Sequence, residues 1–332
     1  MLTAAAGAAA ALSPAVPAGA RPADPGAAGD RAAGSVGTRI DKLYEQAEAA
    51  TERYNAAKER AARLQRQVEY AQENAARKQE RVNRLRNALA SVAGAQYRSG
   101  GIDPSIALML TEDPDGYLDK ASTLDRIGSR QEEKLRQLRG AERALRQQRA
   151  EAGAKLRLLE HERAERKRQK QAVLKKLDAA RELTGELSPA ERARRERASR
   201  AGGRSVAALP GGTEEASSQR AAAAVAAARS AVGRPYVWGA TGPGSFDCSG
   251  LTQWAYGRAG VAIPRTSQEQ RSAGRQVPMS QARPGDLVVY RDDASHVGMY
   301  VGGGQVVHAP HPGAPVRYDR ADMMPVSSVT RP

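Results

Sequence analysis

Between Ile40 and Val92 the chain keeps a hydrophobic spacing that leaves it little structural choice. Apolar or small residues fall at Leu43, Ala47, Ala50, Tyr54, Ala57, Ala61, Leu64, Val68, Ala71 and Ala75, in steps alternating three and four. The series resumes at Val82, Leu85, Leu89 and Val92. Such steps place every apolar side chain on one narrow helical stripe, with Arg, Lys, Glu and Gln elsewhere. A stripe held for about seven heptads has to be covered by another helix. The repeat stops at Gly94, and Gly100-Gly101-Ile102-Asp103-Pro104 breaks any helix. It restarts at Tyr117, Ala121 and Leu124, then runs through Leu135, Leu138, Leu145, Ala152, Leu156, Leu159 and Val173 to Leu177. Two helices of roughly 55 and 65 residues predict an antiparallel coiled-coil hairpin over 38–184, about 80–90 Å long at ~1.5 Å rise per residue. Its break lies near 94–116. Alanine in the seam permits close approach but buries little area, so the arm alone should be only modestly stable.

The flanks differ in kind. Residues 1–37 are rich in Ala and Pro, with a weak apolar run from Leu2 to Leu12 and small residues around Val16-Pro17-Ala18-Gly19-Ala20. No basic residues precede the run, so it reads as a clipped signal peptide or an unstructured Ala/Pro-rich tail. It is too short to span a bilayer, and no transmembrane segment is expected elsewhere. Gly, Pro, Ser and charge dominate 185–217, the composition of a flexible linker. Aromatic residues make up 4% of the 332, too few for one large core, so a single compact domain, 218–332, is expected beside the hairpin. Net charge is +15, with 12 Arg, no Lys and 7 acidic residues from Ser218 onward. That balance suits polyanionic partners, nucleic acid or anionic wall polymers alike. No aromatic–basic interleaving supports nucleic acid, and none is expected.

The residues that carry chemistry follow Ser218. Ser217 is placed to cap an Ala-rich helix ending at Gly233. After a loop from Gly239 to Ser245, a second helix starts at the chain's single cysteine, with Asp247 as its N-cap and Cys248 at the first helical position. Leu251, Trp254 and Ala255 form its buried stripe. The positive end of the helix dipole favours a thiolate, which is the reactive form. A lone cysteine is ordinarily buried filler; this position makes it a candidate nucleophile. The nucleophile needs a base, and of four histidines His161 lies in the coiled coil. Strands are expected at 286–290, 296–301 and 305–310. If Gly302-Gly303-Gly304 form the turn, Gly298 faces His308, and His296 lies two residues along on the same face, within reach of His308. A two-residue turn would separate them. This suggests His296 as base and His308 as the group that orients it. A zinc site is the weaker alternative, because there is one cysteine and no paired-ligand spacing. Neither metal nor cofactor is expected.

The string PYVWGATGPGSFDCSGLTQWAYGRAGVAIPRTSQEQ, with ARPGDLVVY, SHVGMYVGGGQVVHAP and SSVTRP after it, resembles the NlpC family of cell-wall cysteine peptidases over about Ala216 to Pro332. The Ala-seamed hairpin with its YRSGGIDPS break is similar to the coiled-coil half of secreted actinobacterial members. The resemblance implies an α+β papain-like domain and hydrolysis of the γ-D-glutamyl–diaminopimelate bond of peptidoglycan stem peptides. It implies Cys248, His296 and His308 as the catalytic three, with Tyr236 beside the nucleophile and able to reach the oxyanion. Asp247, Arg265 and Ser267 match groove-lining positions. Each also has a plain structural role: cap, surface charge and start of the next helix. The Ser249 amide, one residue past the nucleophile, suits an oxyanion donor. Trp238 reads as core and His311 as surface.

The implied setting is secreted or wall-associated, with peptidoglycan as substrate and the coiled coil open to a protein partner. A related amidase or transferase, and a non-catalytic scaffold that recruits wall enzymes, are the competing functions. A long arm beside a wall hydrolase also suggests control: the hairpin or the linker would obstruct the Cys248 groove until moved.

Overall fold

The computed structural model describes residues 25–98, 106, 116–197 and 215–332. The apolar run at 2–12, most of the break and residues 198–214 of the linker lie outside the described residues. The hairpin is present and longer than its seam: α1 spans Pro25–Arg98 and α2 spans Tyr117–Glu186. At ~1.5 Å per residue, 74 residues make α1 about 110 Å long. Proline suits the first helical position, where its missing N–H has no intrahelical partner. Thus α1 begins well inside 1–37, the segment expected to be a clipped signal peptide or an unstructured tail.

The helices run antiparallel, as cross-links at opposite ends of the arm require. Lys176 donates to Gln46 (2.5 Å), Arg163 to Gln65 (2.6 Å), Lys78 to Gln148 (2.9 Å) and Arg86 to Glu142 (2.6 Å). Between them much of the seam is buried, although Leu135 and Leu156 of α2, both expected in it, are exposed at 42% and 38%. Ala47, Ala50, Val173 and Leu177 form one cluster, and Ala61, Val68 and Leu159 another. Among the described residues no helix is long and apolar enough to cross a membrane.

Part of the expected linker is ordered. Residues 189–197 are helical and fold back on α1, where Arg195 pairs with Asp41 and donates to the Gly37 carbonyl. Its start is a capping box: the Glu191 amide donates to Ser188 Oγ (3.3 Å) and the Ser188 amide to Glu191 Oε2 (2.7 Å). That Ser-x-x-Glu spacing lay within a stretch whose composition suggested only a linker.

The C-terminal domain is α+β. Helices α3 (Gln219–Ser230) and α4 (Cys248–Arg258) pack on a six-stranded antiparallel sheet of order β1-β6-β2-β3-β4-β5. The strands are β1 Arg275–Val277, β2 Leu287–Tyr290, β3 His296–Gly302, β4 Gln305–His308, β5 Arg317–Arg320 and β6 Val326–Arg331. A four-residue helix, α5 (Ser267–Gln270), follows α4. Ser218, one residue later than expected, caps α3 by accepting from the Ala221 amide. The main core joins Leu251 and Ala255 of α4 to Leu287, Val289, Val297, Met299 and Val307 of the sheet. Trp254 is only partly buried against that core, tilted on Phe246 at 5.1 Å.

The β3–β4 turn reaches the expected result by another route. Gly302 pairs with Gln305, so the loop is the two residues Gly303 and Gly304, both at positive φ, as a tight hairpin turn of this kind requires. Alone that would put the two histidines on opposite faces. A bulge between Tyr300 and Gly302 absorbs one residue, and Met299 faces Val307. The bulge restores the register in which His296 and His308 share a face.

Candidate active site

Cys248 is the first residue of α4, and Asp247 is its N-cap, accepting from the Gly250 amide at 2.7 Å. Asp247 does much more than cap. Arg265 grips both its oxygens, Nη1 at 3.0 Å and Nη2 at 2.6 Å, and the Gly239 amide donates at 2.8 Å. Both side chains are buried, so each charge compensates the other away from water. Arg265 Nη1 also donates to Ser249 Oγ at 2.8 Å. Arg265, matched to a groove-lining position with surface charge as its plain alternative, is a buried strut that ties the loop before α5 to the start of α4. Thr266, not Ser267, caps α5, and Ser267 is its first residue.

On the sheet, His296 Nε2 and His308 Nδ1 are 2.8 Å apart, with their rings edge to face. Both are buried. Burial pushes both imidazoles below their ordinary range, His296 the further. His308 Nε2 lies 2.8 Å from Asp319 Oδ2, and Arg317 Nε donates to the same oxygen at 2.7 Å. Sequence reasoning missed Asp319. It sits on β5, whose sequence Arg-Tyr-Asp-Arg has no apolar alternation to mark a strand. A carboxylate cannot donate, so His308 carries its proton on Nε2 and accepts at Nδ1. His296 then carries its proton on Nε2, leaving Nδ1 with a bare lone pair. That Nδ1 is buried and has no hydrogen-bond partner among the described residues. Its tautomer fits a base.

Tyr236 is buried near Cys248, which, after burial itself, is the largest influence holding the Tyr236 hydroxyl protonated. Trp238 packs at the edge of the core, and its ring meets Tyr54 of α1 edge-on at 5.2 Å. His311 is not a free surface residue: it stacks on Tyr44 of α1 at 4.5 Å.

These contacts belong to a larger one, because α1 crosses the site. Cys248 Sγ donates to Glu52 Oε1 across 3.7 Å, Ser249 Oγ donates to the same oxygen at 2.7 Å, and the Ser267 amide donates to Glu52 Oε2 at 2.8 Å. One turn earlier, Glu48 Oε2 accepts from Arg291 Nη1 at 2.6 Å and lies 3.6 Å from His296 Nδ1. One turn later, Asn55 Nδ2 donates to Asp247 Oδ2 at 3.1 Å. With α1 docked, the surroundings of Cys248 oppose the dipole expectation. Burial, and then Glu52, Asp247 and Glu48, push the thiol well above its ordinary range, and Arg265 only partly offsets them. What remains open is a cleft of about 1160 Å³ beside His308 and Asp319, bounded by Tyr44, Glu48, Arg291 and His311.

Residues 233–330 match the NlpC/P60 family. The chain is 50% identical over 107 residues to a probable endopeptidase of Corynebacterium glutamicum, covering 32% of this chain and 51% of that protein. It is 48% identical over 93 residues to a probable endopeptidase of Mycobacterium tuberculosis, covering 28% and 24%. With the probable endopeptidase p60 of Listeria monocytogenes it shares 45% over 97 residues, covering 29% and 20%. The solved peptidoglycan hydrolase RipB of M. tuberculosis is 34% identical, covers 34% of this chain and 64% of that one, and has a TM-score of 0.32. The chain thus spans about half or less of the length of these curated relatives. By sequence, the C-terminal third of this chain belongs to the NlpC/P60 family of cysteine peptidases, with a long helical hairpin ahead of it.

Proposed function

We propose that the chain is a secreted or wall-associated peptidoglycan hydrolase, a thiol endopeptidase that cuts the γ-D-glutamyl–diaminopimelate bond of stem peptides. One observation carries the chemistry. A cysteine at a helix start and a histidine whose partners leave one ring nitrogen bare lie under successive turns of α1, the first against Glu52 and the second against Glu48. The names of the relatives, endopeptidases and a peptidoglycan hydrolase, favour the substrate class. The net charge of +15 suits a wall rich in anionic polymers.

In the proposed reaction His296 Nδ1 takes the Cys248 proton, and the thiolate attacks the γ-carbonyl of the D-glutamyl residue. The developing oxyanion is met by the Ser249 amide at the start of α4 and by the Tyr236 hydroxyl. His296 then returns the proton to the departing diaminopimelate amine as the C–N bond breaks, leaving a thioester. Water, deprotonated by the same nitrogen, hydrolyses the thioester and regenerates the thiol. His308 holds the base in its tautomer and steadies the imidazolium that forms. Asp247, Arg265 and Ser267 shape the groove; the first two do so through their ion pair.

Purified peptidoglycan would be incubated with three forms of the full chain: the wild type, the double variant Glu48→Ala/Glu52→Ala, and that variant carrying Cys248→Ala. Released fragments would be identified by mass spectrometry. Fragments ending in γ-D-glutamate, released by the double variant and lost with Cys248, are the expected result. A folded double variant that frees nothing, while a control hydrolase digests the same wall, would refute the proposed activity.

A further inference from the structure

Three acidic or amide side chains of α1 occupy positions that a substrate would need. Tyr44, Glu48, Glu52 and Asn55 follow one another at steps of four, four and three, so they form a single stripe down the helix. The coiled-coil seam, Ala47, Ala50, Tyr54 and Ala57, runs beside that stripe. Helix α1 therefore serves two faces: one closes the hairpin against α2, and the other lies on the peptidase domain, with Tyr54 at their border meeting Trp238.

We propose that helix α1 is a built-in pseudosubstrate that keeps the enzyme latent. Glu52 fills the groove at the nucleophile and Glu48 covers the base, so that Cys248 reacts only after the hairpin lifts away. The proposal rests on Cys248 being the nucleophile, and its geometry is specific. Each Glu52 oxygen has a donor from the domain, Ser249 Oγ for one and the Ser267 amide for the other. The Cys248 thiol points at the first of these oxygens, so its proton is aimed at Glu52 rather than at His296. Glu48 lies against the only bare nitrogen of the histidine relay. Arg291, which holds Glu48, has φ +66 in the turn between β2 and β3, a backbone conformation unusual for a side chain of that size. Asn55 takes a lone pair of Asp247 that would otherwise face the groove.

Burial is the second line of support. Glu48, Glu52 and Asn55 are each 3% exposed or less, on a helix whose other charged residues are mostly solvated. Two glutamates removed from water are costly unless partners await them. Here the partners are residues of the catalytic groove. The obstruction comes from the hairpin, and from its first helix.

The lone cysteine makes the test simple. Iodoacetamide labelling of Cys248 in the full chain would be followed by intact mass for the wild type, Glu48→Ala/Glu52→Ala and Asn55→Trp. Asn55→Trp wedges the helix off without changing any charge near the thiol, so it separates displacement from a mere rise in acidity. Far-UV ellipticity confirms that each variant keeps its helices, and the variant that does so is the one read. Labelling at least ten-fold faster than wild type, with a matching rise in peptidoglycan fragment release, is expected. Faster labelling with no fragment release would uphold the latch and refute the proposed peptidoglycan cleavage. Wild-type labelling as fast as that of the folded variants would overturn the latch, and fragment release would then stand or fall separately.

Discussion

Asp319 Oδ2 accepts the Nε2 proton of His308 at 2.8 Å, and this contact sets the direction of the protons from β5 to His296. Its own carboxyl is held below the usual range, with the His308 bond, His308 itself and Arg317 outweighing burial. Asp319 touches neither substrate nor thiol in this arrangement; it is a positioning residue. An amide at this place can donate as well as accept, which makes the bare nitrogen of His296 ambiguous. With the latch opened by Glu48→Ala/Glu52→Ala, Asp319→Asn should lower kcat by about 10–100-fold with little change in KM. The acid limb of the kcat/KM profile should also move to lower pH, because the imidazolium loses a carboxylate. Asp319→Glu should recover part of the rate. An unshifted limb would leave Asp319 a purely structural role.

The latch should also be proton-linked. Burial raises Glu48 to about 8 despite Arg291, and Glu52 to about 7, where Asp247 adds to burial and Ser249, Ser267 and Arg265 oppose it. A carboxyl whose pKa is raised on docking holds a proton that the undocked one has released. Docking is therefore fully supported below the ordinary value of 4.5 and weakens as pH climbs through 7 and 8. His296 has the opposite sign, since docking favours its neutral form, but above its ordinary 6.5 it is neutral in both states. Cys248, raised from 9.0, adds to the glutamates at the alkaline end. Between pH 6.5 and 8.5, Cys248 labelling of the wild type should rise relative to Glu48→Gln/Glu52→Gln, whose neutral amides cannot titrate. A constant ratio over that range would show that the latch does not depend on these protons.

Much of this site is legible in the sequence. Cys248 after a capping Asp announces itself by position in the helix, and the Gly302-Gly303-Gly304 run limits where His308 can meet His296. The bulge at Val301 could not be read, because a turn of two residues and one of three differ only in how the flanking strands pair. Asp319 was hidden for a related reason: β5 carries charge at three of its four positions. The latch is legible in the sequence only as obstruction of the Cys248 groove by either the hairpin or the linker, with no residues attached. In a heptad, Glu48, Glu52 and Asn55 look like ordinary solvated neighbours of the seam. Only the docked domain distinguishes them from Glu45 or Arg53, which remain exposed.

Asp247 is a stability residue as much as a groove residue. Removing it uncaps α4 and leaves the Arg265 guanidinium buried without its partner. Losing the cap costs about 1 kcal/mol, and breaking a buried pair from one side about 3–5 kcal/mol. Asp247→Ala should thus lower the melting temperature of the peptidase domain sharply. Asp247→Asn keeps the cap and part of the Arg265 bonding, so it should lose less. Thermal unfolding followed by near-UV circular dichroism would rank them. Equal melting temperatures for the wild type and Asp247→Ala would mean that the Arg265 strut adds nothing to the fold.

Gly298 lies on β3 between the two members of the histidine pair, and its lack of a side chain is what lets them meet. A Cβ there would sit 3.2 Å from Val306 Cβ and 3.3 Å from His308 Cβ. Each is tight, so β4 must shift by a few tenths of an ångström. Crowding of that size in a packed sheet costs about 1–3 kcal/mol, which the domain can survive. The hydrogen bond between His296 and His308 is less tolerant, because small displacements at a reacting centre cost rate out of proportion to stability. With the latch opened, Gly298→Ala should keep a cooperative melt a few degrees lower and lose about ten-fold in kcat. Its Cys248 labelling should fall as well, since a displaced His296 no longer draws the proton from the thiol. If Gly298→Ala melts lower but retains full kcat, the base does not depend on His308 for its placement.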